Sequence, residues 1–292
     1  MQTKRQIQEL LSSAGVRPNK RLGQHFLIDK NLMRLLVECA DIRKDDVVLE
    51  VGCGTGSMTE FLAERAGRTI AVELDHNLFE IAGKQLAESR TVDLINTDIL
   101  ESKHTISHSI TEALVRAHSQ YKGRILLVAN LPYHVASPVM LNLLTGPTIA
   151  DGMYVTVQKE VAERMTAKPA TPDYGVLSIF LHAMGDVKTI RTLKPTVFWP
   201  QPQVDSAMVS FTRNPEKAGQ IANMAVFSDI IHLFMGHRRK TLLACTKLAD
   251  GNLASIRDWG RILEKCRIDP ILRPENLSAD NFIALSNYAV KS

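Results

Sequence analysis

Ten residues, Val47-Val48-Leu49-Glu50-Val51-Gly52-Cys53-Gly54-Thr55-Gly56, constrain the fold more than any other stretch of the chain. A short valine-rich run bounded by glycines suits a buried strand of a parallel sheet. The glycines that follow let the backbone turn sharply. They also let a ligand approach the strand's C-terminal end, where open α/β sheets bind their ligands. Ser57 then opens a helical pattern with apolar Met58, Phe61, Leu62 and Ala66. Alone, this strand–turn–helix serves a nucleotide site or a plain tight turn equally well.

The next strand-like run, Thr69 to Val72, ends at Glu73, which lies 21 residues past Gly52. That is about the spacing of a carboxylate that accepts from ribose hydroxyls. A third run, Val92 to Asn96, ends at Thr97-Asp98-Ile99. A dinucleotide site has no use for this second acid, whereas a carboxylate there can accept from an adenine amine. The pyrophosphate pattern G-x-G-x-x-G also fails, since its last glycine position is Ser57. One glycine turn and two strand-end acids fit a nucleoside without phosphates, of which S-adenosylmethionine is the common one. The plainer alternative is that Glu73 and Asp98 cap loops or helices.

The chain has 292 residues, 45% hydrophobic and 23% charged, which are globular values and enough length for one large domain and a smaller one. No apolar stretch approaches membrane-spanning length, and the N-terminal residues lack an apolar signal region. Cys39, Cys53, Cys245 and Cys266 show no paired spacing, which argues against a disulfide framework or a metal site and fits a reducing, cytoplasmic setting. Cys53, in the glycine turn with no base nearby in sequence, reads as a small filler. Residues 1–30 carry net charge +4 and residues 214–292 net +3, around a middle of net −3. Basic ends around a slightly acidic middle fit a polyanion gripped from two sides, although solvated lysines give the same totals.

Periodicity predicts a helix over Lys4 to Ala14, a basic loop from Arg17 to Leu27, and a helix capped by Asp29. Strand–helix units follow at 47–66 and 69–88, then a strand at 92–96. Residues 101–123 read as a polar, partly helical insertion. Arg124 to Ala129 is a fourth buried strand, followed by a helix over Ser137 to Leu144, a strand at Met153 to Gln158 and a helix at Lys159 to Met165. Val187 to Leu193 and Ala207 to Thr212 read as a closing antiparallel pair around a proline-rich loop, Phe198 to Ser206. Only helical periodicity remains beyond about Glu216. The expected domains are therefore 1–213 and 214–292, the second all-helical.

The chemistry sits where the fourth strand ends, at Asn130-Leu131-Pro132-Tyr133. An adenine amine is a poor nucleophile because its lone pair is delocalised into the ring. An asparagine oxygen and a backbone carbonyl, that of Leu131 or Pro132, can each accept one amine hydrogen. Two fixed acceptors orient the nitrogen and stabilise the charge that grows on it. Pro132 stiffens the turn, and Tyr133 offers a face for stacking the base. The alternative is an ordinary turn of the N-x-P-x type.

Taken with Gly23-Gln24-His25-Phe26-Leu27, Gln158-Lys159-Glu160-Val161, the Phe198–Ser206 loop and His237-Arg238-Arg239-Lys240-Thr241-Leu242, this motif resembles the KsgA family of ribosomal RNA adenine dimethyltransferases. The resemblance runs in order over roughly residues 15 to 290. It implies a Rossmann-like S-adenosylmethionine-dependent methyltransferase sheet with a small C-terminal helical, RNA-binding domain. The implied reaction carries methyls from S-adenosylmethionine to two adjacent adenosines near the 3′ end of 16S, small-subunit rRNA. The implied partner is an immature ribosomal small subunit, met by a cytoplasmic monomer without metal. By resemblance the cofactor contacts fall on His25, Leu27, Gly52, Gly54, Glu73, Asp98 and Asn130. The acceptor base falls to Asn130, Leu131, Pro132 and Tyr133, with Phe198 as a second stacking face or a core residue. Arg17, Lys20, Arg21, Arg238, Arg239 and Lys240 are the candidates for RNA phosphate, against the plainer reading of solvated charges. Two positions depart from the family pattern: Cys53 replaces proline in the glycine turn, and His25 stands where many members have asparagine. Two alternatives remain: the related 23S rRNA methyltransferase of the macrolide-resistance type, and a small-subunit assembly factor with secondary methylation. Ser57 and Asp98 weigh against a dehydrogenase.

Overall fold

The computed structural model describes residues 1–19 and 22–290. Lys20 and Arg21, two of the candidate phosphate contacts, lie outside the described residues. The chain divides into two compact units, Met1–Ala162 with Lys188–Thr212, and Glu163–Val187 with the chain from Arg213 onward.

The first unit opens with α1 (Lys4–Ser13), started by a capping box between Thr3 and Gln6. β1 (Phe26–Leu27) and α2 (Lys30–Cys39) follow, with Asp29 accepting from the amides of Asn31 and Leu32 as the helix's N-cap. β2 (Val47–Val51), α3 (Ser57–Ala63), β3 (Arg68–Glu73), α4 (His76–Gln85) and β4 (Val92–Asn96) come next. β5 (Leu100–Ser102), β6 (Thr105–Ile106) and α5 (His108–Tyr121) then lead to β7 (Ile125–Asn130), α6 (Ala136–Thr145) and β8 (Gly152–Gln158). α7 (Lys159–Thr166) and α8 (Val176–Met184) precede β9 (Gly185–Leu193), β10 (Phe198–Trp199) and β11 (Ser206–Arg213).

Seven strands form one sheet in the order β4-β3-β2-β7-β8-β11-β9. β4, β3, β2, β7 and β8 run parallel, and β11 closes antiparallel on β8. All five residues of β2 are buried, as a central parallel strand requires. The expected fourth strand, β7, pairs directly with β2, so the sheet reverses its winding there. The glycine turn and Asn130 thus leave neighbouring strands at the same edge, the switch point where such sheets bind ligands.

Two readings of the sequence within the first unit need correction. Residues 101–123 are not an appended insertion. Their small hairpin leads into α5, whose Ile110, Ala113, Leu114 and Ala117 are buried and which packs on β2 and β3 as a crossover helix. The polar face of α5 hid that stripe. Phe26–Leu27 and Phe198–Trp199, expected in loops, pair antiparallel as β1 and β10. So short a pair has no periodicity to reveal it.

The second unit holds α8, α9 (Pro215–Ala218), α10 (Met224–Gly236), α11 (Leu242–Thr246), α12 (Trp259–Lys265) and α13 (Ala279–Ala289). The boundary expected at 213 therefore misses 163–187, which join the helices. The reason is α8: Leu177, Ile179, Phe180, Leu181, Ala183 and Met184 are buried on all sides, and the helix packs against α10 and α13. Phe180 meets Phe227 edge to face with ring centroids 5.5 Å apart, and Phe234 meets Trp259 and Phe282 in the same manner.

Candidate functional site

At the carboxyl edge of the sheet lies a partly open cavity. His25, Leu27, Gly52, Gly54, Glu73, Asp98, Asn130, Leu131, Pro132 and Tyr133 all line it, so one concave surface gathers candidates more than a hundred residues apart in sequence.

The glycine turn has positive φ at Gly52, Gly54 and Gly56, at 75°, 60° and 80°. Space is as restrictive as conformation. A Cβ on Gly52 would stand 2.8 Å from Pro132 Cγ, and one on Gly54 would stand 2.9 Å from the Phe26 ring. The missing side chain at Gly52 is what lets the Asn130–Tyr133 turn rest against the glycine turn. Cys53 is buried against Ala71, Ala82 and Leu86, and burial with the nearby Glu50 and Glu73 holds its thiol well above the usual range. The filler reading of Cys53 describes it well.

Three acids face the cavity. Glu73 Oε2 accepts from the Gly54 amide at 2.8 Å and Oε1 from the Asp75 amide at 2.9 Å, which fixes the carboxylate. Burial raises its pKa, and those amides oppose the rise. Asp98 is exposed, and its Oδ1 accepts from the Leu100 amide at 2.9 Å. Glu50 was absent from the sequence-level candidates. It is 2% exposed, and Oε2 has no hydrogen-bond partner among the described residues. Burial pushes its pKa to about 8, with the Glu73 carboxylate adding to the rise and Thr59 opposing it. The signal was visible: an ionisable residue inside an otherwise apolar strand.

The Asn130 amide is oriented by one bond. Nδ2 donates to the His25 carbonyl at 2.8 Å, and because only the NH₂ end can donate, Oδ1 remains the acceptor. His25 thus contributes through its backbone, which explains why histidine can replace asparagine there. Its ring is held by Pro200, with Nδ1 2.7 Å from that carbonyl, and stacks on Tyr133 at 5.6 Å between centroids. The Tyr133 hydroxyl lies 2.8 Å from Ser206 Oγ, so the ring is pinned at both ends. The Leu131 amide donates to the Thr156 carbonyl on β8. The Val135 amide takes up the Pro132 carbonyl at 3.2 Å, while no described residue donates to the carbonyl of Leu131. Of the two carbonyls the sequence left open, the second free acceptor is therefore that of Leu131.

Phe198 is not brought to the cavity. It is 1% exposed and packs in the core with Leu27, Val128 and Met208, because its pairing with Leu27 turns the ring inward. Among the basic candidates, Arg17 is exposed. Arg238 is already engaged: Nη2 donates to Glu275 at 2.9 Å and the guanidinium also reaches the Pro172 carbonyl. Arg239 and Lys240 are exposed. Among the described residues no cluster of three or more His, Cys, Asp or Glu suits a metal ion, and no helix is long and apolar enough to cross a membrane.

A nucleoside bearing positive charge fits this lining on two observations. Glu50, which lines the cavity, keeps a buried carboxyl oxygen unpaired among the described residues, and glycine backbone replaces side chains where Pro132 and Phe26 close in. The fold and the cavity together are those of a Rossmann-like nucleoside-binding domain. The model of one family, ribosomal RNA adenine dimethylase, matches residues 15–285. A relative named ribosomal RNA small subunit methyltransferase A, from Geobacillus sp. (strain WCH70), is 37% identical over 283 residues, covering 96% of this chain and 94% of its own. A relative of the same name from Bacillus mycoides is 34% identical over 288 residues, covering 98% and 96%. Among solved structures, a dimethyladenosine transferase from Plasmodium falciparum superposes with a TM-score of 0.72 at 21% identity, covering 90% of this chain and 96% of that one. The 23S rRNA methyltransferase ErmE does so with 0.62 at 21% identity, covering 91% and 100%. These two likenesses speak to the fold. The chain belongs to the ribosomal RNA adenine dimethylase family.

Proposed function

We propose that this chain methylates the N6 amines of two adjacent adenosines near the 3′ end of small-subunit rRNA, with Asn130-Leu131-Pro132-Tyr133 as the acceptor site. The enzyme is an rRNA adenine dimethyltransferase, and its cofactor is S-adenosylmethionine. Held beside Glu73 and Asp98, that cofactor supplies an electrophilic methyl on a sulfonium. Glu73 would accept from the ribose hydroxyls and Asp98 from the adenine amine. Glu50, whose proton the fold holds up to about pH 8, would ionise more readily beside the cofactor's positive charge.

The observation that carries the reading is the fixed amide of Asn130. Its Oδ1 and the free Leu131 carbonyl would each accept one hydrogen of the target amine, turning the nitrogen lone pair out of the ring plane. Tyr133, pinned by Ser206, would stack the extracted base. As the nitrogen bonded the methyl carbon, the carbon–sulfur bond would break to leave a neutral thioether, and the methylated nitrogen, cationic and acidic, would give its proton to water. Arg17, Arg239 and Lys240 are the exposed candidates for rRNA phosphates, with Arg238 demoted by its pairing. The names of the relatives favour small-subunit rRNA over the large-subunit alternative. Action on an immature small subunit, in the cytoplasm and as a monomer, belongs to the same proposal.

The test is mass spectrometry of rRNA from unmethylated small and large subunits incubated with the purified chain. Dimethyladenosine in the 3′ fragment of small-subunit rRNA is expected. Modification confined to the large subunit, or none, would overturn the assignment.

A further inference from the structure

The cavity has a wall that neither the glycine turn nor the Asn130 turn supplies. Ile7 of α1 lines it, packed in a cluster with Leu11 of the same helix and Leu78 and Ile81 of α4. Immediately before α1, Gln2 is 9% exposed and makes three buried hydrogen bonds to one short segment. Its amide donates to Ser57 Oγ at 2.7 Å, its Nε2 donates to the Thr55 carbonyl at 3.2 Å, and its Oε1 accepts from the Thr55 hydroxyl at 2.6 Å. Thr55 and Ser57 flank Gly56, and both line the cavity.

The anchorage of α1 does not require a buried amide at Gln2. Ile7 and Leu11 supply its apolar anchorage, and the Thr3 capping box already starts the helix. A glutamine buried to this degree usually has both ends paired, and here both ends go to Thr55. The segment it grips is glycine-rich, so its backbone gains most from an outside clamp. Ser57 Oγ, held by the Gln2 amide, in turn points to Met33 Sδ at 3.9 Å on the same cavity wall.

We propose that Gln2 is a positioning residue for the cofactor: it clamps the Thr55–Ser57 limb of the glycine turn and seats α1 as one wall of the cavity. The inference rests on the reading that this cavity holds S-adenosylmethionine. It predicts that Gln2 governs donor affinity rather than the methyl-transfer step, because Gln2 touches the turn and not the acceptor residues.

Two full-length variants test it, with S-adenosylhomocysteine as the calorimetric probe well below the melting temperature. Gln2→Met keeps the shape and removes both polar ends. It is expected to weaken binding about tenfold and raise the donor KM alike, with kcat within about twofold. Gln2→Glu keeps an acceptor for the Thr55 hydroxyl but sets a buried carboxylate against the Thr55 carbonyl, so weakening of at least about threefold is expected. It stands as the test should Gln2→Met not fold. A lowered melting temperature with affinity unchanged in the folded variants would overturn the proposal and leave a simple fold staple. Failure of the unaltered chain to bind the probe would instead remove the cofactor reading itself, and the clamp with it.

Discussion

Glu50 joins the core to the site more directly than any other residue. Its backbone belongs to the central strand, the residue lines the cavity, and one buried carboxyl oxygen is unpaired among the described residues. In the unfolded chain such a group titrates at the ordinary 4.5, whereas burial moves it to about 8 in the fold. The folded protein therefore holds this proton more tightly than the unfolded chain. Its stabilising contribution is complete below the unfolded value and is lost as pH rises through about 8. The cofactor-free protein is expected to lose roughly a few kcal/mol of stability between pH 5 and 8. Glu50→Gln, which cannot ionise, should flatten most of that slope in urea titrations run across the range. Glu73, also shifted upward by burial, keeps a remainder. An unchanged slope in Glu50→Gln would contradict this assignment. At this scale the sequence told much about which residues meet and little about how they meet. His25 lies in the site, yet its carbonyl rather than its ring holds Asn130. Phe198 shares the family motif but points into the core, because strand pairing decides the direction of a ring and a motif does not record it.

At the scale of elements, β2, β3 and β7 were legible because each is a mostly apolar run ended by glycine, an acid or asparagine. α5 was not, since its apolar stripe is diluted by His108, Glu112, Arg116 and Ser119. Its role is nonetheless that of a core helix, with Leu114 fully buried. Leu114→Ala is expected to cost about 2–4 kcal/mol in chemical denaturation, the range for a large-to-small change in a packed core. A cost below about 0.5 kcal/mol, typical of surface substitutions, would return this segment to the status of an insertion. The glycine turn and the Asn130 turn, read separately in sequence, are one device in space. Gly52 is bare so that Pro132 can lie against it, and only the pairing of β2 with β7 brings them together.

For the whole molecule, charge at the two ends of the sequence suggested a gripped polyanion, but structure divides the cations by what they already hold. Arg238 is committed to Glu275 and the Pro172 carbonyl, whereas Arg239 and Lys240 are exposed. Arg239→Ala and Lys240→Ala are each expected to lower rRNA affinity and to reduce the slope of log affinity against log salt by about 1. Arg238→Ala should instead act first on the stability of the helical unit. Filter binding across a salt series, with thermal melts in parallel, separates the two behaviours, and an unchanged slope in both single variants would remove these residues from the interface. The helical unit itself was legible from periodicity, but its inclusion of residues 163–187 was not, because α8 is far in sequence from the helices that bury it.

The central claim is that Asn130 Oδ1 and the Leu131 carbonyl orient the acceptor amine beside a cofactor cavity built from other residues. Asn130→Ala, assayed in parallel for methyl transfer to small-subunit rRNA and for S-adenosylhomocysteine binding, tests it most directly. Transfer is expected to fall by about 10²-fold or more, with binding within a few-fold of the unaltered chain. Full transfer by Asn130→Ala would contradict it.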